Sequence, residues 1–457
     1  MVPNLDIYKI LIILATLIRF LAGVGFLLNN NIKQNTDFFS PLRYFLYYDI
    51  LSSTIFLFLG IDPYAFIGNI SQNRFITDHI ATLSKTLILI NGSFIFQIVG
   101  LLIKPNKMLL SFFLTQDLKN FDKKMKNFSP LVLFFIGFIL WYFYMQNIGG
   151  FLFYLRNIAH RTQLTAGMNY LMFLWRMFFY VAAMSSLFCL RKGILRSKYF
   201  AYSLIVISLL FMLSIGGRRA FVNAIIHLLI IDHYYRKAFN FKIRHALYCF
   251  IAIFLLLAFG FWRSNQAERF SSFDLLEQMR NRGIQMVLLY AADISRPMLI
   301  VGYVEKKGFW LGSSYVDLLT SPIPRSILPS KAVVDDGQYI YSLSKEHDVK
   351  PSLSPDNLHG SSLPAGNWMG YINWGIFGYF IFSLWSGMIA KAAYVAFKKS
   401  EKNFSLLLCY LIVIKGFAFN NLFIVHFIVS LLYIKISLHI LLFVSGFFRC
   451  KHKCYPE

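Results

Sequence analysis

The sequence predicts an all-α, polytopic integral membrane protein with about eleven transmembrane helices and one large extracytoplasmic loop. Three observations carry this reading. Hydrophobic residues make up 57% of the 457 and charged residues only 14%, whereas a soluble domain has ~25% charged residues. The apolar runs are long and continuous, without the alternation of a membrane β-barrel. Threading eleven spans through the chain places every dense Lys/Arg cluster on one side of the bilayer.

A hydrocarbon core ~30 Å thick needs about 20 apolar residues per helix. The runs that qualify lie near 7–28, 41–60, 83–103, 130–148, 168–189, 199–215, 217–235, 246–262, 368–390, 403–419 and 422–447. The first run is too long for a signal-peptide core and no small-residue cleavage site follows it, so it reads as a retained helix. The basic clusters are Lys104 to Lys126, Arg191 to Lys198, Arg236 to Arg244, Lys391 to Lys402 and Arg449 to Lys453. Eleven spans put all five in the cytoplasm and the N-terminus outside. The expected organisation is therefore helices 1–8 over residues 1–262, an outer loop over 263–367, and helices 9–11 with a short cytoplasmic tail over 368–457.

The net charge of +24 would suggest nucleic acid in a soluble protein. Here its placement argues otherwise. The outer loop holds eleven basic and eleven acidic residues, so the excess lies outside it, largely in clusters facing anionic lipid. No nucleic-acid partner is expected. Within the loop, the spacing of Leu275, Leu276, Met279, Ile284 and Leu288 predicts a helix over 272–290, and prolines from Pro322 to Pro364 break the rest into short helices and irregular chain. None of the five cysteines lies in this loop, so no disulfide is implied. Cys450, His452 and Cys454 on the tail read as a plain tail rather than a metal site, because three ligands on a fraying end rarely suffice.

No phosphate-binding Walker loop, dinucleotide fingerprint, zinc helix or serine elbow occurs, and no metal or cofactor is expected. Charges inside spans are costly and so draw notice: Arg19, Asp49, Arg176, Lys415 and Lys435. Arg19 and Asp49 suit a pair between the first two helices, and Lys435 suits snorkelling. Basic residues on the outer face run against the positive-inside bias. Arg156 and Arg161 lie after the fourth span, and Arg218 and Arg219 open the seventh directly after Gly216 and Gly217. Free N–H groups, the helix dipole and two guanidinium forks make a phosphate or pyrophosphate clamp there, with lipid headgroups as the alternative partner.

Two stretches of the loop stand out. Ser321 to Lys331 is stiffened by prolines around Arg325 and Lys331. His359 to Gly378 runs from loop into the ninth span, rich in small residues and hydroxyls, with Trp368, Tyr371 and Trp374 suited to an interfacial belt or a sugar-stacking surface.

These pieces together resemble the bacterial O-antigen polymerase (Wzy) and oligosaccharide-repeat-unit polymerase family. The matching residues are Arg161 to Gly167 with Tyr170, then Gly217-Arg218-Arg219, then Pro324 to Lys331, and last the Gly360–Gly378 run with Tyr371-Ile372-Asn373-Trp374-Gly375. The chain departs from the family in having Lys331-Ala332 for Lys-Pro and Met369-Gly370 where an acidic residue often precedes the Tyr-x-Asn element. The resemblance implies a membrane glycosyltransferase of the bacterial inner (plasma) membrane with its large loop extracytoplasmic. It would move a growing glycan en bloc from undecaprenyl pyrophosphate onto the next lipid-linked repeat unit, with donor and acceptor both lipid-linked and a chain-length-regulating co-polymerase as partner. No nucleotide sugar or metal is implied.

Such chemistry needs a cationic clamp and a base. For catalysis the candidates are His359 as base with Arg218 and Arg325; for pyrophosphate and substrate binding they are Arg161, Arg219, Arg263, Lys331, Tyr371 and Asn373. Asp293, Asp335 and Asp336 are rival bases. Two rival functions share parts of this pattern. An O-antigen ligase has similar topology and a similar Arg/His set. A flippase or transporter would place its site near the bilayer midplane, often with inverted repeats.

Overall fold

The computed structural model describes residues 5–28, 37–61, 73–118, 129–157, 164, 168–195, 197–214, 218–236, 294–321, 323, 327–328, 331–351, 358, 362–363, 365–400, 403–414 and 418–453. These residues are all-helical, with no strand among them. The described helices are α1 (Leu5–Leu28), α2 (Pro41–Ile61), α3 (His79–Leu102), α4 (Lys107–Leu114), α5 (Ser129–Asn147), α6 (Phe151–Arg156), α7 (Asn169–Arg191), α8 (Lys198–Leu213), α9 (Arg218–Tyr235), α10 (Ser295–Lys307), α11 (Ser313–Leu319), α12 (Gly337–Ser344), α13 (Trp368–Lys399), α14 (Phe404–Ile414) and α15 (Asn421–Lys453). Each expected span coincides with a helix except 246–262, which lies outside the described residues, as does the expected helix over 272–290. Among the described residues, five helices are both long and apolar enough to cross a membrane: α3, α5, α7, α13 and α15. Parts of α1 and α9, and the whole of α8 and α14, are apolar but shorter.

The chain divides into two compact units built from segments distant in sequence. The first comprises Met1–Leu109, Asn281–Tyr394 and Gly416–Phe427; the second comprises Leu110–Arg280, Val395–Lys415 and Ile428–Glu457.

In the first unit α1 packs along α2 and α3. Arg19 of α1 forms a buried ion pair with Asp49 of α2 and lies 5.3 Å from the ring centre of Phe94 on α3. Ser53 donates to the other Asp49 oxygen. This is the pairing the sequence suggested, and it answers the cost of two charges at these positions. The Asp78 carboxylate caps α3 by accepting from the N–H groups of Ile80 and Ala81. Further along, α3 meets α13 through small residues: a Cβ on Gly100 would stand 2.1 Å from the Leu384 carbonyl oxygen, and one on Gly387 2.4 Å from that of Gln97.

The expected ninth span over 368–390 is corrected by the structure. The apolar run is continuous, but the helix is broken at Gly375, whose φ of 68° and ψ of −149° lie outside helical space. Residues 368–374 fold back along 376–399. Gly370 and Gly378 touch so closely that a Cβ on Gly378 would stand 2.3 Å from the Gly370 oxygen. Trp368 stacks on Tyr379 at 4.2 Å, and the Asn367 amide donates to the Ser386 hydroxyl at 3.1 Å. In one straight helix residues 367 and 386 would be about 28 Å apart. Hydropathy cannot see this reversal, because both arms are apolar and only a glycine marks the turn.

In the second unit α7 is central and mostly enclosed, packing against α5, α8 and α9. Its Trp175 and Phe179 join Phe134 of α5 and Phe211 of α8 in an aromatic core, with Phe179 stacked on Phe211 at 4.8 Å. Arg191 at the end of α7 pairs with Asp232 of α9, and the Tyr180 hydroxyl lies 2.8 Å from His227 Nδ1. Every residue of α14 is buried.

Candidate functional site

The short helices expected in the outer loop are present as α10, α11 and α12. All three belong to the first unit, and two adjacent carboxylates, Asp335 and Asp336, stand at the start of α12. Asp335 precedes the helix and Asp336 is its N-terminal cap residue. Asp335 Oδ1 accepts from the Gly337 N–H at 3.1 Å and from the Ser362 hydroxyl at 2.8 Å. The Leu363 N–H in turn donates to the Gly337 carbonyl at 2.9 Å. These two bonds fasten the His359–Gly378 stretch to the acid pair. Gly337 is needed here, since a Cβ would stand 2.3 Å from Ser362 Oγ.

Asp336 is fully enclosed. Its Oδ2 accepts from the Asn421 N–H at 2.9 Å, while its Oδ1 is buried with no hydrogen-bond partner among the described residues. The Asn421 Oδ1 and the Asn420 Nδ2 are buried and unpartnered in the same way. Asn421 is held by its own amide, which donates to the Ser314 carbonyl. The Tyr315 hydroxyl donates to the Phe419 carbonyl at 2.6 Å. One turn along α12, the Tyr339 hydroxyl donates to Asp317 of α11 at 3.3 Å.

Burial raises the pKa of both acids. For Asp336 the shift is large: enclosure acts first, then repulsion from Asp335, while the Asn421 N–H pulls the other way. For Asp335 enclosure again dominates, opposed by the Ser362 and Gly337 hydrogen bonds. Repulsion between neighbouring carboxylates in a dry site opposes ionising both. Tyr315 is also raised, by burial and then by the charge of Asp336. A buried carboxyl with a raised pKa and an unbonded oxygen holds a proton more readily than an exposed one, as a proton-transfer group must.

The other sequence candidates fall out as follows. Lys331 is buried, and its ammonium donates to the Ser321 and Ile323 carbonyls at 2.6 and 2.8 Å, so it ties the proline-rich stretch together. Asn373 is enclosed, with all four amide positions engaged: Oδ1 accepts from the Gly312 N–H and the Ser314 hydroxyl, and Nδ2 donates to Ser314 Oγ and the Met369 carbonyl. This amide holds the break in α13 and has no capacity left for a sugar. Tyr371 is buried, edge-on to Trp368 at 5.8 Å. Arg218 and Arg219 open α9 as expected. Arg161, Arg263, Asp293, Arg325 and His359 lie outside the described residues. Sequence reasoning did not single out Asn421, Ser362 or Asp317. Two adjacent asparagines opening an apolar span were the available signal for the first, because helix starts favour such caps; Asn420 Oδ1 does accept from the Phe423 N–H at 2.8 Å.

The fold and this cluster define a class: an α-helical protein with several membrane-length apolar helices and a buried acid site in its most polar segment. No family model matches the chain, and neither does any curated protein or solved structure.

Proposed function

We propose that the chain is a polymerase of undecaprenyl-pyrophosphate-linked oligosaccharide repeat units, acting at the outer face of a bacterial inner membrane through eleven spans. The acceptor sugar hydroxyl attacks the anomeric carbon of the donor glycan. The bond from that carbon to the pyrophosphate oxygen breaks, and undecaprenyl pyrophosphate leaves. The hydroxyl proton passes to the carboxyl pair Asp335–Asp336. On sequence grounds the charge that develops on the leaving pyrophosphate falls to Arg161, Arg218, Arg219 and Arg325.

The observation that carries this reading is the enclosed acid pair with raised pKa, fastened by Ser362 to the same His359–Gly378 stretch that resembles the polymerase family. In this reading the carboxyls, rivals of His359 on sequence alone, serve as the base. The test is the surface glycan profile of a deletion strain. One repeat unit on the lipid core, with the ladder restored by the wild-type gene, is the expected result. A core with no repeat unit indicates a ligase, and repeat units trapped on the cytoplasmic side indicate a flippase. Loss of the ladder in an Arg218→Ala strain with normal protein abundance would support the clamp.

A further inference from the structure

The loop before α11, α11 itself and the hinge of α13 carry large apolar side chains on their outside. On α11 the usual order is inverted. Ser314 and Asp317, one turn apart, are buried, while Val316 and Leu319, also one turn apart, are 57% and 78% exposed. A helix that packs its polar face inward and shows its apolar face outward is not arranged for water. The same exposure continues through Leu311, at 78%, and Phe377, at 80%. These elements are contiguous. Tyr315 of α11 stacks on Trp374 at 5.1 Å, and a Cβ on Gly375 would stand 3.0 Å from the Phe309 ring.

We propose that this face is embedded in the acyl chains of the leaflet nearer the hinge, so that part of the large loop is a membrane-seated shelf and not an extramembrane cap. The occupant is lipid for three reasons. First, the face is continuous with the flank of α13, whose Phe377, Ile381 and Trp385 are exposed on a helix of membrane-crossing length. Second, irregular backbone enters hydrocarbon only when its polar groups are satisfied internally. The Trp310 and Leu311 N–H groups donate to the Ile372 and Asn373 carbonyls freed by the helix break. The Gly312 N–H goes to Asn373 Oδ1, and those of Ser313 and Tyr315 go to the Trp310 and Gly312 carbonyls. The engaged amide of Asn373 is thus what makes the turn compatible with lipid. Third, the depth fits. From Ile376 to Lys391 and Lys398 the second arm measures about 22 and 33 Å by helical rise, against a hydrocarbon core of ~30 Å. The hinge therefore stands at or inside the hydrocarbon boundary, where Trp374 and Tyr315 have the chemistry of an interfacial belt.

This inference does not depend on the polymerase reading. The full-length protein, carrying p-benzoylphenylalanine at position 311, 319, 377 or 345, would be reconstituted in nanodiscs of phosphatidylethanolamine and phosphatidylglycerol and irradiated. Intact-mass analysis then counts lipid adducts, and size-exclusion profiles confirm that each variant is folded. Position 377 reports the flank of α13, and position 345, an exposed lysine after α12, reports the polar surface. Lipid adducts at 311 and 319 comparable with those at 377, and several-fold above those at 345, are expected. Adducts at 377 without adducts at 311 and 319 overturn the proposal. So do equal yields at 345, crosslinks from 311 or 319 to a second copy of the chain, or the absence of lipid adducts at all four positions.

Discussion

The two compact units handle buried polarity in different ways. In the second unit it includes pairs between helices, Tyr180 with His227 and Arg191 with Asp232, and a turn where the Asn403 amide donates to Asp117 and to the Leu118 carbonyl. In the first unit, outside the Arg19–Asp49 pair, it is dense and held largely by irregular backbone. The carboxylates of Asp335 and Asp336 take hydrogen bonds from the Gly337 and Asn421 N–H groups, and the Asn373 amide closes a broken helix. In the second unit the neutral groups Trp175 Nε1, Ser208 Oγ and Ser437 Oγ are buried without partners among the described residues. The cluster of the first leaves Asp336 Oδ1 and Asn421 Oδ1 without partners among the described residues. Unsatisfied buried polar groups carry a stability penalty, and a site that retains them is where chemistry is to be sought.

The comparison can be broken most sharply at Asp336. Asp336→Asn keeps the shape and the acceptor for the Asn421 N–H but cannot take a proton. Glycan polymerisation should fall by about 10²–10⁴, the range for losing a general base, with membrane abundance unchanged. A normal ladder from both Asp336→Asn and Asp335→Asn would reduce the acid pair to a structural role and erase the difference between the units.

Next in size is the ion pair of α1 and α2. Asp49→Ala leaves Arg19 buried without its carboxylate and should cost about 3–5 kcal/mol. The double replacement Arg19→Met with Asp49→Leu should recover most of that loss. Thermal unfolding of the detergent-solubilised protein reads both. A double variant as unstable as the single would mean that the charges do more than neutralise each other.

The carboxyl pair also sets a sign for pH. Its folded pKa values are raised, so the native state holds more protons than the unfolded chain above the ordinary carboxyl value of about 3.9. The contribution is most favourable at or below that value and is lost as pH rises toward the folded pKa. Melting temperature should therefore decline with rising pH in this window, and the decline should be shallower in Asp336→Asn. An identical slope in the variant would show that Asp336 is not the group being titrated.

The smallest effect is expected in the second unit. Tyr180→Phe removes one hydrogen bond to His227 and should cost about 1 kcal/mol, with the glycan ladder intact. A lost ladder at normal abundance would show that this hydrogen bond serves polymerisation and not stability alone.

Much of the fold was legible because hydrophobic length and helical period act locally. The apolar runs that became α1, α2, α3, α5, α7, α8, α9, α14 and α15 needed no knowledge of their neighbours. The pairing of Arg19 with Asp49 could be anticipated because a charge inside a span has few ways to be satisfied. The reversal of α13 could not, because the arms on either side of Gly375 are equally apolar and the evidence for the turn lies in contacts such as Asn367 with Ser386. The candidate site divides in the same way. Asp335 and Asp336 were visible as adjacent acids in a neutral loop, but neither Asn421, 85 residues away, nor Ser362 could be joined to them from spacing.

Hydropathy and charge alone give the class of the molecule: apolar helices of membrane length, basic clusters between them and one long polar segment, each a property of a short stretch of chain. What only the tertiary structure decided was which polar groups are enclosed together. Asn373 looked like a ligand and is a clasp for a broken helix. Lys331 looked like part of a clamp and holds two carbonyls of its own loop. Asp336 looked like one rival among three and is the enclosed acid with an unpartnered oxygen. Burial, shared hydrogen bonds and the pKa shifts that follow from them depend on what folds against a residue, and a residue's neighbours in space are not its neighbours in the chain.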